Sequence, residues 1–171
     1  MASPRHPDSE SDRGEVWALD DEVDMIDTLE LALAQSSFGF EGFTEPSTMF
    51  EALEYEQPQL LLLDLMMPSM PGAEVLRRIR ETRETAELPV LVLTALSSES
   101  SILNAFEAGA DDVVQKPFSI PELLARISWQ VRRRRQLSQL RQRSRDMELM
   151  AELARNLSGE DQVESVIEAT A

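Results

Sequence analysis

The chain contains no cysteine, which excludes a disulfide scaffold, a thiolate metal site and a cysteine nucleophile, and fits an intracellular address. Six glycines and nine prolines are too few for collagen-like or low-complexity architecture. Long apolar runs are also missing. None exceeds residues 60–63, far short of a membrane span. The opening Met-Ala-Ser-Pro-Arg-His-Pro-Asp lacks the apolar stretch of a signal peptide, so a soluble, cytoplasmic protein without membrane contact is expected. The single histidine, His6, lies in a polar leader and is read as inert. Lysine also occurs once, at Lys116, although arginine fills every other basic position. A compact ammonium at one place in an arginine-rich chain invites a chemical reason.

What is present is 171 residues, 42% of them hydrophobic, enough for one domain with a core plus an appendage. The net charge of −16 is unevenly spread. Residues 14–118 hold twenty-one acids against five bases, residues 123–145 hold eight arginines and no acid, and residues 146–171 hold seven acids and Arg155. An acidic globule followed by a basic collar repels nucleic-acid phosphates and favours cations or basic partners.

Residues 1–13 are polar, with two prolines and no periodicity, and are expected to form a disordered leader. Short apolar runs then alternate with amphipathic stretches. Strands are expected at 16–19, 40–44, 60–63, 90–93 and 113–114, and helices at 23–35, 47–55, 73–83, 100–108 and from 120 onward. Pro46, Ser47, Ser119 and Pro121 stand at helix starts, and Gly39 and Gly109 follow helix ends. Runs 60–63 and 90–93 are apolar on both faces, as central parallel strands covered by helices must be. The pattern is five βα units, an α/β doubly wound fold.

In an open parallel sheet, ligands sit at the carboxyl ends of the strands. The first run ends in Asp20-Asp21, the third in Asp64, the fourth in Thr94 and the fifth in Lys116-Pro117. Each could have a bland role: a helix cap and turn, a satisfied strand hydroxyl, a surface charge. Their joint occurrence at successive strand ends argues otherwise. Carboxylates brought together repel and need a cation, and hard oxygen donors without Cys or nearby His select Mg²⁺ over zinc. Mg²⁺ with Lys116 and Thr94 would form a site for a dianionic phosphoryl group, with one carboxylate as nucleophile.

The segments V-W-A-L-D-D-E, L-L-L-L-D-L-M-M-P-S-M-P-G, V-L-V-L-T-A and E-A-G-A-D-D-V-V-Q-K-P-F, in that order, closely resemble the receiver domain of two-component response regulators over residues 15–127. The resemblance implies a flavodoxin-like, doubly wound five-stranded parallel sheet of order 2-1-3-4-5 with an extended C-terminal helix. It implies that Asp64 is phosphorylated by a histidine kinase or phosphotransfer protein. Asp21, Asp64 and the backbone carbonyl of Met66 would ligate Mg²⁺, Asp20 would act mainly through bound water, and Thr94 and Lys116 would contact the phosphoryl oxygens. A cis Lys116-Pro117 bond, aiming the ammonium inward, is expected on the same ground.

Two departures from the family pattern stand out. Val113 occupies the position where receivers carry the Tyr or Phe that couples the site to the outer face. Signal output is then expected to rely on the fourth helix and residues 95–101, or on a changed dimer. Met66 and Leu96 place apolar bulk two residues beyond Asp64 and Thr94, positions that tune acyl-phosphate hydrolysis in receivers. The Met66-Met67 pair is otherwise read as lid and core packing.

The domain layout read from the chain is a leader at 1–13, a receiver at 14–127, a helical coiled-coil linker at 128–157 and the start of a further helix or module at 158–171. One helix is expected from 121 to 157, ended by Ser158-Gly159-Glu160-Asp161. Leu137, Leu140, Ser144, Met147, Ala151 and Ala154 step by three and four, suggesting a seam for a homodimer. Arg132 to Arg135 come without helix-turn-helix or aromatic interleaving, which argues against nucleic-acid binding. The expected activity is a self-modifying switch controlling an output module outside this chain, not an enzyme turning over external substrate. A haloacid-dehalogenase-type phosphatase would need a second acid two residues past its nucleophile, where Met66 stands. A pseudo-receiver used only as a dimerising scaffold is the remaining alternative.

Overall fold

A computed structural model describes residues 15–95 and 97–168, with side chains as far as 155. Residues 1–14, which include the leader with His6, Leu96 and the last three residues of the chain lie outside the described residues. Five strands, β1 (Glu15–Leu19), β2 (Gly39–Phe43), β3 (Leu60–Asp64), β4 (Val90–Thr94) and β5 (Asp112–Gln115), alternate with helices α1 (Val23–Ala34), α2 (Pro46–Leu53), α3 (Gly72–Glu81), α4 (Glu99–Glu107) and α5 (Ile120–Glu168). The sheet is parallel throughout, in the order β2-β1-β3-β4-β5.

Leucine has no strong strand preference, yet 60–63 is a strand because burial on both faces decides it: every residue of β3 and β4 is buried. Period-two alternation divides the core. Trp17, Leu19, Leu61, Leu63 and Val92 face Met49 of α2 and Val75, Leu76 and Ile79 of α3. Val16, Ala18, Leu62, Leu91 and Leu93 face Leu29 and Leu33 of α1 and Leu123, Ile127 and Val131 of α5.

The helix starts follow local chemistry. Pro46 occupies the first turn of α2, where its missing N–H leaves no bond unmade. Ser98 Oγ accepts from Ser101 N (3.2 Å) at the start of α4, and Ser119 Oγ accepts from Glu122 N (3.3 Å) at the start of α5. Gly109 terminates α4 at φ +106°, a conformation that excludes most side chains. α1 ends one residue short of the expected 35, Ser36 N–H and hydroxyl both donating to Leu33 O (2.8 and 2.7 Å) just past it, and Gly39, which follows that end, opens β2. The expected stop at 158–161 is also corrected, since α5 continues to Glu168. A lone Gly159 costs a helix only about 1 kcal/mol, too little to break it without a competing structure.

One arginine knits the sheet's far corner together. Arg80 of α3 donates to the carbonyls of Gly109 (2.9 and 2.7 Å), Leu88 (2.7 Å) and Ala86 (3.1 Å) and to Asp111 Oδ2 (2.8 Å). Asp111 Oδ2 also accepts from Val90 N (2.9 Å), so α3 is tied to the beginnings of β4 and β5. The chain divides into two units, one up to Arg132 and one from Arg133. No helix among the described residues is long and apolar enough to cross a membrane.

Gly72 governs the loop that follows β3. A Cβ there would stand 2.2 Å from Asp64 O and 2.7 Å from Leu65 Cα, both backbone atoms, whereas one at Gly39 would come no nearer than 3.8 Å to anything. Gly72→Ala is therefore expected to lower stability by about 1–3 kcal/mol. Gly39→Ala stays within about 0.5 kcal/mol of the parent, with urea unfolding as the measurement.

Candidate functional site

Because all five strands run the same way, their carboxyl ends meet on one edge of the sheet. Asp20 and Asp21 follow β1, Asp64 closes β3, Thr94 closes β4 and Lys116 follows β5. Asp20, Asp64 and Thr94 are 2%, 5% and 1% exposed, so these polar groups lie inside the apolar rim and must be satisfied there. Lys116 satisfies two of them. Its Nζ donates to Asp20 Oδ2 at 2.7 Å and to Asp64 Oδ1 at 2.8 Å.

Backbone donors hold the other carboxylate oxygens. Asp20 Oδ1 accepts from Glu22 N (3.0 Å) as the chain turns into α1, and Asp64 Oδ2 accepts from Met66 N (2.5 Å). Asp20 N donates to Phe43 O (3.1 Å) and Lys116 N to Thr94 O (2.7 Å), fixing both ends of the ion triad to neighbouring strands. The Lys116-Pro117 peptide bond is cis. Asp21 is exposed beside Asp20, and Met66 is 60% exposed while Met67 is buried in the core.

Electrostatically the edge carries an excess of acid: two buried carboxylates share one ammonium, and Asp21 follows Asp20 directly. Burial pulls the Lys116 pKa down, but its hydrogen bonds to Asp20 and Asp64 and their charges outweigh burial and leave it raised. The donor set fits Mg²⁺, because hard carboxylate and carbonyl oxygens with an uncompensated negative charge are what that ion requires, and the chain has no cysteine thiolate to favour a softer metal. Asp20, Asp21, Asp64 and the Met66 carbonyl would hold it.

Among the described residues, the three carboxylates whose oxygens all lie within 4.8 Å of one another are instead Glu15, Glu41 and Glu56. Glu15 begins β1, so this cluster belongs to the opposite edge of the sheet. Burial, then the charges of Glu15 and Glu56, raise the Glu41 carboxyl. The sequence reading missed this group because its members share no motif.

Val113 is half-buried and packs against the core on the α2 and α3 face. A cavity of about 530 Å³ adjoins it, bounded by Ile102 and Phe106 of α4, Lys116, and Glu122 and Arg126 of α5. Arg126 bonds both Asp112 (2.8 Å) and Glu122 (3.1 Å) along the cavity's α5 side. The sequence reading did not single out Arg126, since pairing it with Asp112 requires the fold.

A family model described as the response regulator receiver domain matches residues 16–128. The chain is 36% identical over 126 residues to transcriptional regulatory protein CreB of Escherichia coli (strain K12), covering 74% of this chain and 54% of CreB. It is 38% identical over 118 residues to response regulator MprA of Mycobacterium leprae (strain TN), covering 69% of this chain and 51% of MprA. Among solved structures, it is similar to response regulator DrrB, a Thermotoga maritima OmpR/PhoB homolog, at a TM-score of 0.64 and 34% identity. That likeness covers 71% of this chain and 54% of DrrB. The chain belongs to the response regulator receiver domain family. It spans about half the length of CreB and MprA.

Removing the ammonium leaves two buried carboxylates facing each other. Lys116→Met is expected to lose about 3 kcal/mol of stability at neutral pH, read by urea unfolding. A lysine raised in the folded state stabilises fully below its ordinary value of 10.5 and loses that contribution as pH climbs through the higher folded value. The gap between wild type and Lys116→Met should hold from neutral pH to about 10 and narrow above it.

Proposed function

We infer that the chain is a phosphoryl-accepting switch in which Asp64 is the acceptor, a histidine kinase or phosphotransfer protein is the donor, and Mg²⁺ is required. The observation that carries this reading is the Lys116 ammonium held within 2.8 Å of both Asp20 and Asp64 at the carboxyl edge of the sheet. An Asp64 oxygen attacks the donor's phosphorus, the bond from phosphorus to the donor breaks, and an acyl phosphate forms. Asp20, Asp21, Asp64 and the Met66 carbonyl would hold Mg²⁺, which when bound would supply positive charge to offset the repulsion between the two anions.

The chain's own residues do the rest. Lys116, already bonded to Asp64 Oδ1, stays protonated and turns an N–H toward a phosphoryl oxygen as negative charge moves outward onto the phosphate. Met66 N–H keeps the acceptor carboxylate oriented. Thr94, at the end of β4, offers a hydroxyl to the same oxygens and couples the phosphate to the loop leading into α4. With Val113 in place of a ring, the signal passes through that loop and α4. The chain modifies itself and turns over no external substrate. Residues 128–157 act as a homodimerising helical linker to an output module outside this chain, in the cytoplasm, with no nucleic acid bound.

The related DrrB receiver domain has been solved in a BeF₃-activated form, which makes the same analogue a useful probe here. Incubation with acetyl phosphate and Mg²⁺ should add the mass of one phosphoryl group, seen by intact-protein mass spectrometry, and Asp64→Asn should show none. No adduct in the parent, together with no BeF₃ binding, would leave only the dimerising scaffold. Met66 stands exposed beside the acceptor, where its apolar chain hinders a hydrolytic water. Met66→Asn is expected to shorten the phosphate lifetime about two- to tenfold in a phosphate-release assay, a barrier change of at most about 1.4 kcal/mol.

A further inference from the structure

Past Arg133, helix α5 exposes a stripe of Leu137, Leu140, Ser144, Met147, Ala151 and Ala154, spaced alternately by three and four residues. Its large members are open to solvent: Leu137 is 45%, Leu140 60% and Met147 67% exposed. We propose that this stripe is the contact between two copies of the chain and that the two helices run antiparallel, centred between Ser144 and Met147. The proposal rests on, and deepens, the reading of residues 128–157 as a dimerising linker.

Side-chain size selects the orientation. In a parallel, in-register pair each residue meets itself, so Leu137 and Leu140 form full layers while Ser144, Ala151 and Ala154 form three hollow ones. Running the second copy the other way sets Leu137 against Ala154 of the second copy, Leu140 against its Ala151, and Ser144 against its Met147. Every layer then joins one large and one small side chain, the condition for even packing along a seam.

Charge selects the same orientation. Residues 133–145 carry six arginines and no acid, whereas residues 146–155 carry Asp146, Glu148 and Glu152 against Arg155. A parallel pair stacks the arginine block on its own copy. The antiparallel pair lays it along the acidic block of the other chain. Arg141 and Glu148 each follow a seam residue directly, which brings them together on one flank, twice by symmetry. Leu149 and Leu153 lie on the reverse face and take no part.

The lack of native cysteine makes the test direct. Leu140→Cys and Ala151→Cys are made separately in the full chain, purified, mixed and oxidised. The mixture should cross-link between the two variants, and neither variant should cross-link to itself. Like positions in the antiparallel pair are offset by eleven residues, roughly 16 Å along the axis, well beyond the roughly 7 Å reach of a disulfide. Dimerisation, followed by light scattering, should weaken about tenfold between low salt and about 0.5 M salt, because opposite charges are being screened. Self-linking of Leu140→Cys, with association that strengthens in salt, would overturn the antiparallel orientation and keep the dimeric linker. A monomer at every concentration and salt would overturn both.

Discussion

The structure depends on how one ammonium manages two buried carboxylates. Asp20 and Asp64 sit at the ends of adjacent strands with almost no exposure, and water does not neutralise them. Lys116 reaches both from the far side of the sheet, by way of β5. That triad pins three strand ends together and still leaves the edge short of positive charge. The stability of the edge and its surplus of negative charge thus have the same origin.

The remainder of the receiver unit keeps that edge rigid. β3 and β4 are covered on both faces, so neither can shift its register without turning leucine or valine toward water. Gly72 lets the backbone after Asp64 double back against itself, Gly72 N donating to Leu65 O (3.1 Å). Arg80 and Asp111 brace the opposite ends of β4 and β5, so the strands that carry Thr94 and Lys116 are anchored at their starts. The cavity beside Val113 leaves room near α4 where the family pattern places a ring.

Beyond Arg132 the physics changes from burial to surface pattern. Among residues 133–155 every described side chain but one is exposed, so nothing within the unit itself rewards its apolar stripe. A helix with a basic block, an acidic block and a row alternating in bulk is a surface awaiting a complement, and a second copy of the same helix supplies one.

The order of strands and helices was legible in the chain because period-two and helical patterns report which face each residue buries, as in the leucines of β3 and the valines of β4. Five of the candidate site residues, Asp20, Asp21, Asp64, Thr94 and Lys116, were legible for a related reason: parallel strands place their ends together whatever the intervening loops do. A local signal failed at one helix end. Gly159, within the expected stop at 158–161, did not end α5, because a single glycine is a weak penalty that neighbours override.

Residue identity and spacing by themselves determined the parallel α/β framework, the set of polar groups at its edge and the charge blocks of the tail, since each depends on neighbours along the chain. Tertiary structure alone decided that Lys116 bonds Asp20 and Asp64 at once, that Arg80 gathers carbonyls from the segments leading into β4 and β5, and that Glu15, Glu41 and Glu56 converge. Most of those contacts join residues far apart in the chain, and their distances are set by how the sheet twists and packs, which no local pattern encodes.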